Sequence, residues 1–246
     1  MVVSATDVTL RYPIYSGRSQ SVRSLVLSRL TGRRVHRDAD DVNYVEVFRN
    51  VSFEFRRGDR VAVLGRNGAG KSSFLRMLAG IYAPWSGRLE VSASIGALFE
   101  LGGGMDIDLT GRENVQRAGV MQGLSRHEMP ELVSDAESLV GIGRFFDMPV
   151  RTYSAGMMMR VAFAMSTLKQ PQVLLMDEVY GAGDFEFQAR AQTRIEGLMD
   201  SAEVLVFASH SMDLVRRLCN RAILIRDNAL AADGSVEMVI EKYLAS

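Results

Sequence analysis

The chain has 246 residues, 47% of them apolar and 24% charged, which is enough apolar material to bury one good core. Lysine plus arginine and aspartate plus glutamate both total 29, so no global field draws the chain to nucleic acid or lipid, and any charge-driven contact is local. The single cysteine, Cys219, excludes an intrachain disulfide, and no Cys/His grouping has zinc spacing.

Met1 to Tyr12 lacks a basic leader and places Asp7 where a signal peptide carries its apolar core, so the chain is expected to stay inside the cell. Next comes a basic insert over 13–45, in which Pro13 to Asp41 holds Arg18, Arg23, Arg29, Arg33, Arg34 and Arg37 ahead of Asp38, Asp40 and Asp41. Val22, Leu25, Val26 and Leu30 form one apolar helical stripe there, which suits an anionic leaflet, a partner, or packing as an ordinary surface helix. Apolar alternation in Val47 to Phe55 predicts a strand, and Arg88 to Phe99 reads as a hairpin; together they predict a side sheet.

From Asp59 onward, aliphatic runs alternate with helical patterns. The runs Arg60 to Leu64, Val173 to Met176, Val204 to Ala208 and Ala222 to Ile225 predict a mainly parallel core sheet. The helical patterns are Lys71 to Ala79, Ser154 to Leu168, Phe185 to Met199 and Met212 to Leu218. Gly111 to Phe146 holds two or three further helical patterns, with Pro130 interrupting one, between Gly102 to Gly104 and Pro149. It reads as part of an inserted helical subdomain over about 105–168 in a single-domain α/β chain. The longest charge-free apolar runs, Val161 to Leu168 and Val204 to Ser209, fall well short of the ~20 residues of a membrane-spanning helix.

The strongest chemical signal is Gly65-Arg66-Asn67-Gly68-Ala69-Gly70-Lys71-Ser72, a complete GxxxxGKS loop between a predicted strand and a predicted helix. Glycines let backbone N–H groups turn around phosphate oxygens, and the helix points its positive end at the same anion. Lys71 then reaches the outer phosphates, Ser72 ligates magnesium, and Ser73 continues the nucleotide-lining run. Val173 to Met176 ends in the adjacent carboxylates Asp177 and Glu178, suited to holding magnesium and to orienting an attacking water, respectively. Tyr153-Ser154-Ala155-Gly156-Met157 opens an apolar helix with a good N-cap, Ser154, and a small residue, Gly156, that admits a phosphate to the backbone. The three methionines Met157 to Met159 read as core or dimer-face packing, and Thr110 with Glu113 as a capping box.

Together these motifs resemble the nucleotide-binding domains of ABC transporters over nearly the whole chain. The resemblance implies a P-loop NTPase of ABC type: a mainly parallel core sheet, an antiparallel β side sheet and an inserted helical subdomain, binding ATP and Mg2+. It also implies two copies facing each other, with Ser154 and Gly156 acting across the dimer on the partner's ATP. Gly181-Ala182-Gly183-Asp184 looks like the D-loop, with Asp184 at the nucleotide. His210 looks like the switch histidine at the γ-phosphate, and Tyr12 stands where the family stacks an aromatic on adenine, with Tyr15 as a rival. The LSGGQ-like signature is reduced to Tyr153-Ser154-Ala155-Gly156-Met157, and Glu100 replaces the family's loop glutamine as a possible magnesium contact.

These departures, with Leu109 to Asn114, Phe146 to Pro149 and the insert after Tyr12, resemble the ATP-binding subunits of polysaccharide exporters for O-antigen, capsule or teichoic acid. That branch implies a motor at the cytoplasmic face of the bacterial inner membrane, coupled to a separate permease, with the insert touching permease or membrane. With Ser246 soon after the last helical pattern, no C-terminal carbohydrate-binding domain is expected. The alternative is a non-transport ABC ATPase acting on nucleic acid or ribosomes. One nucleotide domain at zero net charge argues against it, so nucleic acid is not expected as a partner. A nucleotide-binding scaffold without turnover is opposed by Lys71, Asp177, Glu178 and His210.

Overall fold

A computed structural model describes residues 1–14, 35–37, 43–99, 101–177 and 185–245. In chain order the elements are β1 (Val3–Ile14), β2 (Val35–Arg37), β3 (Asn43–Phe55), β4 (Arg60–Leu64), α1 (Lys71–Leu78), β5 (Ser86–Val91) and β6 (Ile95–Leu98). There follow α2 (Gly111–Met121), α3 (Met129–Val140), the 3-10 turns Gly143–Asp147 and Val150–Thr152, and α4 (Ala155–Ser166). The chain then runs through β7 (Val173–Met176), α5 (Phe185–Ser201), β8 (Val204–Ala208), α6 (Met212–Leu218), β9 (Arg221–Arg226), β10 (Ala229–Gly234) and α7 (Val236–Leu244). Two compact units result: Met1–Ala93 with Glu203–Ser246, and Ser94–Ala202.

The first unit holds the antiparallel sheet β2-β3-β1-β5 and the strand order β10-β9-β4-β8, in which β4 runs parallel to both β8 and β9. Every residue of β8, and all of β4 after Arg60, is buried, as expected of continuous apolar runs covered on both faces. Phe74 of α1 is fully buried, its ring 5.0 Å from Phe53, 5.9 Å from Phe48 and 6.5 Å from Phe55, all on β3. That aromatic contact fixes α1, and so the loop before it, to the side sheet. A second cluster packs Val215 of α6 and Val236, Val239 and Ile240 of α7 with Ala62 and Leu64 of β4.

In the second unit β6 pairs parallel with β7, followed in sequence by α5, while α2, α3 and α4 pack on one another. The expected P-loop architecture of parallel core strands, antiparallel side sheet and helical insertion is therefore present. Among the described residues, no helix is long and apolar enough to cross a membrane.

Two local expectations are corrected. Arg88 to Phe99 is not a hairpin: β5 pairs with β1, and β6 leaves to join β7. The junction is Ser94, whose carbonyl accepts from Gln172 N at 3.0 Å and Val173 N at 2.9 Å, while its own amide donates to Gln172 Oε1. Those bonds commit the chain to the parallel pair. Pro130 does not interrupt a helix; it sits in the first turn of α3, where a missing N–H costs nothing. Of the basic insert, Val35–Arg37 forms a strand against β3; the apolar stripe Val22 to Leu30 lies outside the described residues, as does Tyr15.

Candidate functional site

In the first unit the glycine loop joins the end of β4 to the start of α1. A Cβ on Gly65 would lie 2.8 Å from the Ile225 carbonyl oxygen on the neighbouring β9, so only glycine lets the chain turn out of the sheet there. Gly68 and Gly70 hold φ of +79° and +111°, conformations that turn successive amides to one side. Gly70 is also the N-cap residue of α1 and brings no side chain to the first turn, which leaves a helix start suited to an anion. Lys71 Nζ donates to the Gly65 carbonyl at 2.8 Å and approaches that of Arg66 at 3.4 Å, so its ammonium is held against the loop's own arc. Ser72 and Ser73 follow on α1.

The parallel register of β4 and β8 pairs Val63 with Ala208. Gly65 and His210, each two residues further on, therefore emerge at the same carboxyl edge, where open α/β sheets bind ligands. His210 is exposed; the neighbouring Ser209 is buried, and its hydroxyl accepts from the Ser211 amide at 3.0 Å. Tyr12 lies on β1, its ring edge-on to Tyr82 at 4.8 Å. The Tyr12 hydroxyl is buried near Ser73 and Tyr82 without a hydrogen bond of good geometry, and burial pushes the phenol up to about 12. The residue expected at adenine is thus beside the loop helix, in contact with the Tyr82 ring.

In the second unit the β6–β7 register pairs Leu98 with Met176, so Asp177 stands at the carboxyl end of that strand pair. Its sequence neighbour Glu178, the run Gly181 to Asp184 and Glu100 lie outside the described residues. Ser154 caps α4: its Oγ accepts from the Met157 amide at 3.3 Å. A Cβ on Gly156 would meet nothing closer than Ser154 Oγ at 3.9 Å. The unit's own packing does not require a glycine at that exposed position, which leaves room for a group from outside. The methionines Met157 to Met159 are half-buried.

Two features escaped sequence reasoning. Asn114 is fully buried, and its side chain accepts from Asp106 N at 2.8 Å and donates to the Asp106 and Thr110 carbonyls, both at 2.9 Å, tying the loop before α2 to that helix. Tyr153 turns inward and bonds segments distant in sequence. Neither residue has a local sequence signal for these partners. The capping box is present: Glu113 N donates to Thr110 Oγ1 at 3.1 Å, and Thr110 N to Glu113 Oε2 at 2.8 Å. Arg112, beside it, bonds both Asp147 and Glu137, which raises its pKa further.

Residues 48–181 match the family model described as ABC transporter. The chain is 42% identical over 233 residues to the O-antigen export system ATP-binding protein RfbE of Yersinia enterocolitica, covering 95% of this chain and 97% of that one. It is 33% identical over 242 residues to the O-antigen export system ATP-binding protein RfbB of Klebsiella pneumoniae, covering 98% and 97%. The teichoic acids export ATP-binding protein TagH of Bacillus cereus is 30% identical over 243 residues, 99% of this chain but 42% of that one. Among solved structures, an ATP binding subunit of an ABC transporter superposes with TM-score 0.70 at 18% identity, covering 99% of this chain and 93% of that chain. A dimeric ATP-binding cassette in a post-hydrolysis state, bound to ADP and Pi, gives 0.66 at 18%, covering 95% and 98%. At such identity these two likenesses show the fold.

Proposed function

The chain belongs to the ABC transporter family, and we propose that it is the ATP-hydrolysing subunit powering export of a lipid-linked, O-antigen-like polysaccharide through a separate membrane permease. The observation that carries the ATPase reading is the shared carboxyl edge of β4 and β8, where the glycine loop and His210 emerge together. The export reading is supported by relatives of nearly equal length whose names place them in O-antigen export.

In this reading, the amides of Gly65 to Ser73 and the Lys71 ammonium bind the β- and γ-phosphates, while Tyr12 packs against adenine. Lys71 exchanges its bonds to the Gly65 and Arg66 carbonyls for phosphate oxygens, a short move for an ammonium already at the loop. Ser72 and Asp177 supply hard oxygen donors of the type magnesium takes, with Glu100 a further carboxylate in the set. A bound magnesium would neutralise charge on the phosphates. Glu178 orients the attacking water and accepts its proton, and His210 contacts the γ-phosphate. Ser154 Oγ, the Gly156 backbone and Asp184 complete the site from a second copy, so closure of the dimer depends on ATP and opening follows its hydrolysis. The subunit works at the cytoplasmic face of the bacterial inner membrane, held there by its permease, with the 13–45 insert turned toward permease or membrane.

The test compares ATP turnover of the purified chain with Glu178→Gln, together with size-exclusion chromatography of both in ATP and magnesium. Turnover by the native chain, and a stalled ATP-bound dimer for the variant, is expected. Absence of turnover even with candidate permeases added would replace the motor reading with a nucleotide-sensing scaffold.

A further inference from the structure

Tyr153 immediately precedes the Ser154 cap, and its hydroxyl closes a junction of three segments within the second unit. It donates to the Phe145 carbonyl at 2.6 Å and accepts from the Gly111 amide at 3.1 Å. Gly111 is the first residue of α2, whose amide has no partner within its own helix. Phe145 lies in the 3-10 turn Gly143–Asp147. The approach is close enough to exclude a side chain: a Cβ on Gly111 would stand 2.6 Å from the Tyr153 hydroxyl and 3.0 Å from the Phe146 ring.

The same junction is tied by backbone. Val150 N donates to the Leu109 carbonyl and Arg151 N to that of Ile107, both at 2.9 Å, while Thr110 bridges Pro149. The stretch leading into Ser154 is therefore held against the start of α2 over several residues, and the hydroxyl is its last fastening before the cap. Ser154 follows with φ −69° and ψ 161°, its Oγ committed to the first turn of α4. A leucine, as in the family's LSGGQ-like sequence, could fill the space of the tyrosine ring but would leave both the Gly111 amide and the Phe145 carbonyl without this bond.

We propose that Tyr153 is a positioning residue for the signature helix, its hydroxyl bridge setting where Ser154 Oγ and the Gly156 backbone are presented to the nucleotide held by a partner copy. The inference rests on the reading of Ser154 and Gly156 given under the proposed function. It explains why this chain begins its signature with tyrosine, and it separates two jobs in adjacent residues: Ser154 meets the nucleotide, while Tyr153 acts only through it.

The experiment uses the full chain as Tyr153→Phe, Ser154→Ala and, as a matched destabilised control, Ala136→Gly, a buried α3 position outside the hydrogen bonds of the Tyr153 hydroxyl. Three quantities are read: thermal midpoint, affinity of the monomer for a fluorescent ATP analogue, and KM and kcat for ATP hydrolysis. Tyr153→Phe is expected to leave monomer affinity unchanged and to raise KM roughly fivefold, the factor that one lost net hydrogen bond represents. Ala136→Gly should lower the midpoint at least as far without moving KM. Equal KM for Tyr153→Phe and the native chain, or a rise matched by Ala136→Gly, overturns the positioning role. Impaired hydrolysis in Ser154→Ala beside native-like Tyr153→Phe overturns this inference alone; native-like hydrolysis in Ser154→Ala overturns the signature reading and this inference with it. Should Tyr153→Phe fail to fold, Gly111→Ala, which presses on the same hydroxyl, is expected to raise KM in the same way, and an unchanged KM there is equally decisive.

Discussion

Replacing Gly156 with alanine is expected to make the protein slightly more stable and nearly inactive at once. The added methyl would meet only Ser154 Oγ, at 3.9 Å, an ordinary van der Waals contact, and the residue sits in the first turn of α4. Glycine-to-alanine inside a helix gains about 0.5–1 kcal/mol, and less near an end, so a gain of about 0.5 kcal/mol is expected. For a chain of 246 residues that raises the midpoint by about 1–2 °C. In the proposed ATP-bound dimer the same methyl would occupy the space through which the nucleotide held by the second copy reaches the Gly156 backbone. Losing hydrogen bonding to a charged phosphate costs about 1.5–3 kcal/mol, so hydrolysis falls by about 10- to 100-fold. Differential scanning fluorimetry and steady-state hydrolysis read the two effects. A midpoint lowered by several degrees would mean that the fold itself needs this glycine. Native-like turnover would mean that nothing approaches it.

Three further outcomes follow from the same geometry. Gly65→Ala sets a methyl 2.8 Å from the Ile225 carbonyl; it should destabilise by about 1–3 kcal/mol in urea titrations and weaken binding of a fluorescent ATP analogue by the monomer. Thr110→Ala removes the side-chain half of the capping box at α2, the bond from Glu113 N to Thr110 Oγ1, and leaves the backbone bond from Thr110 N to Glu113 Oε2; it should cost about 1 kcal/mol, while Thr110→Ser keeps most of it, as calorimetry of the pair will show. Burial pushes the Cys219 thiol up to about 12, whereas an unfolded thiol titrates at about 8.5. Its contribution to stability is therefore fully present below about pH 8.5 and is lost as pH rises from there through about 12, because only the unfolded chain ionises in that window. Urea titrations of the native chain and Cys219→Ala across pH 7 to 10 should diverge only on the alkaline side, and iodoacetamide should label the native thiol far more slowly than the unfolded one.

Much of the site is legible in the amino-acid sequence because its signals are local. Strand, glycine loop and helix are contiguous from Arg60 to Leu78, and the residues that bend the loop are the ones proposed to bind phosphate. The runs at 173–176 and 204–208 are apolar throughout, which buried parallel strands require, and both match the observed strands end for end. Ser154 and Thr110 announce their helices because a cap bonds only three residues ahead.

What only the tertiary structure decided are partnerships between segments far apart in sequence. Ser94 meets Gln172 and Val173 across 78 residues or more, and that meeting turns an apparent hairpin into strands of two different sheets. The Tyr153 hydroxyl finds Gly111 across 42 residues; as a sequence feature it is merely an unusual first letter of a motif. His210 comes level with Gly65 only because β8 lies in parallel register beside β4. Periodicity and capping depend on neighbours within one turn or one pleat, so they are written along the chain. Register and side-chain partnership depend on which surfaces the core brings face to face, and no single stretch of residues carries that information.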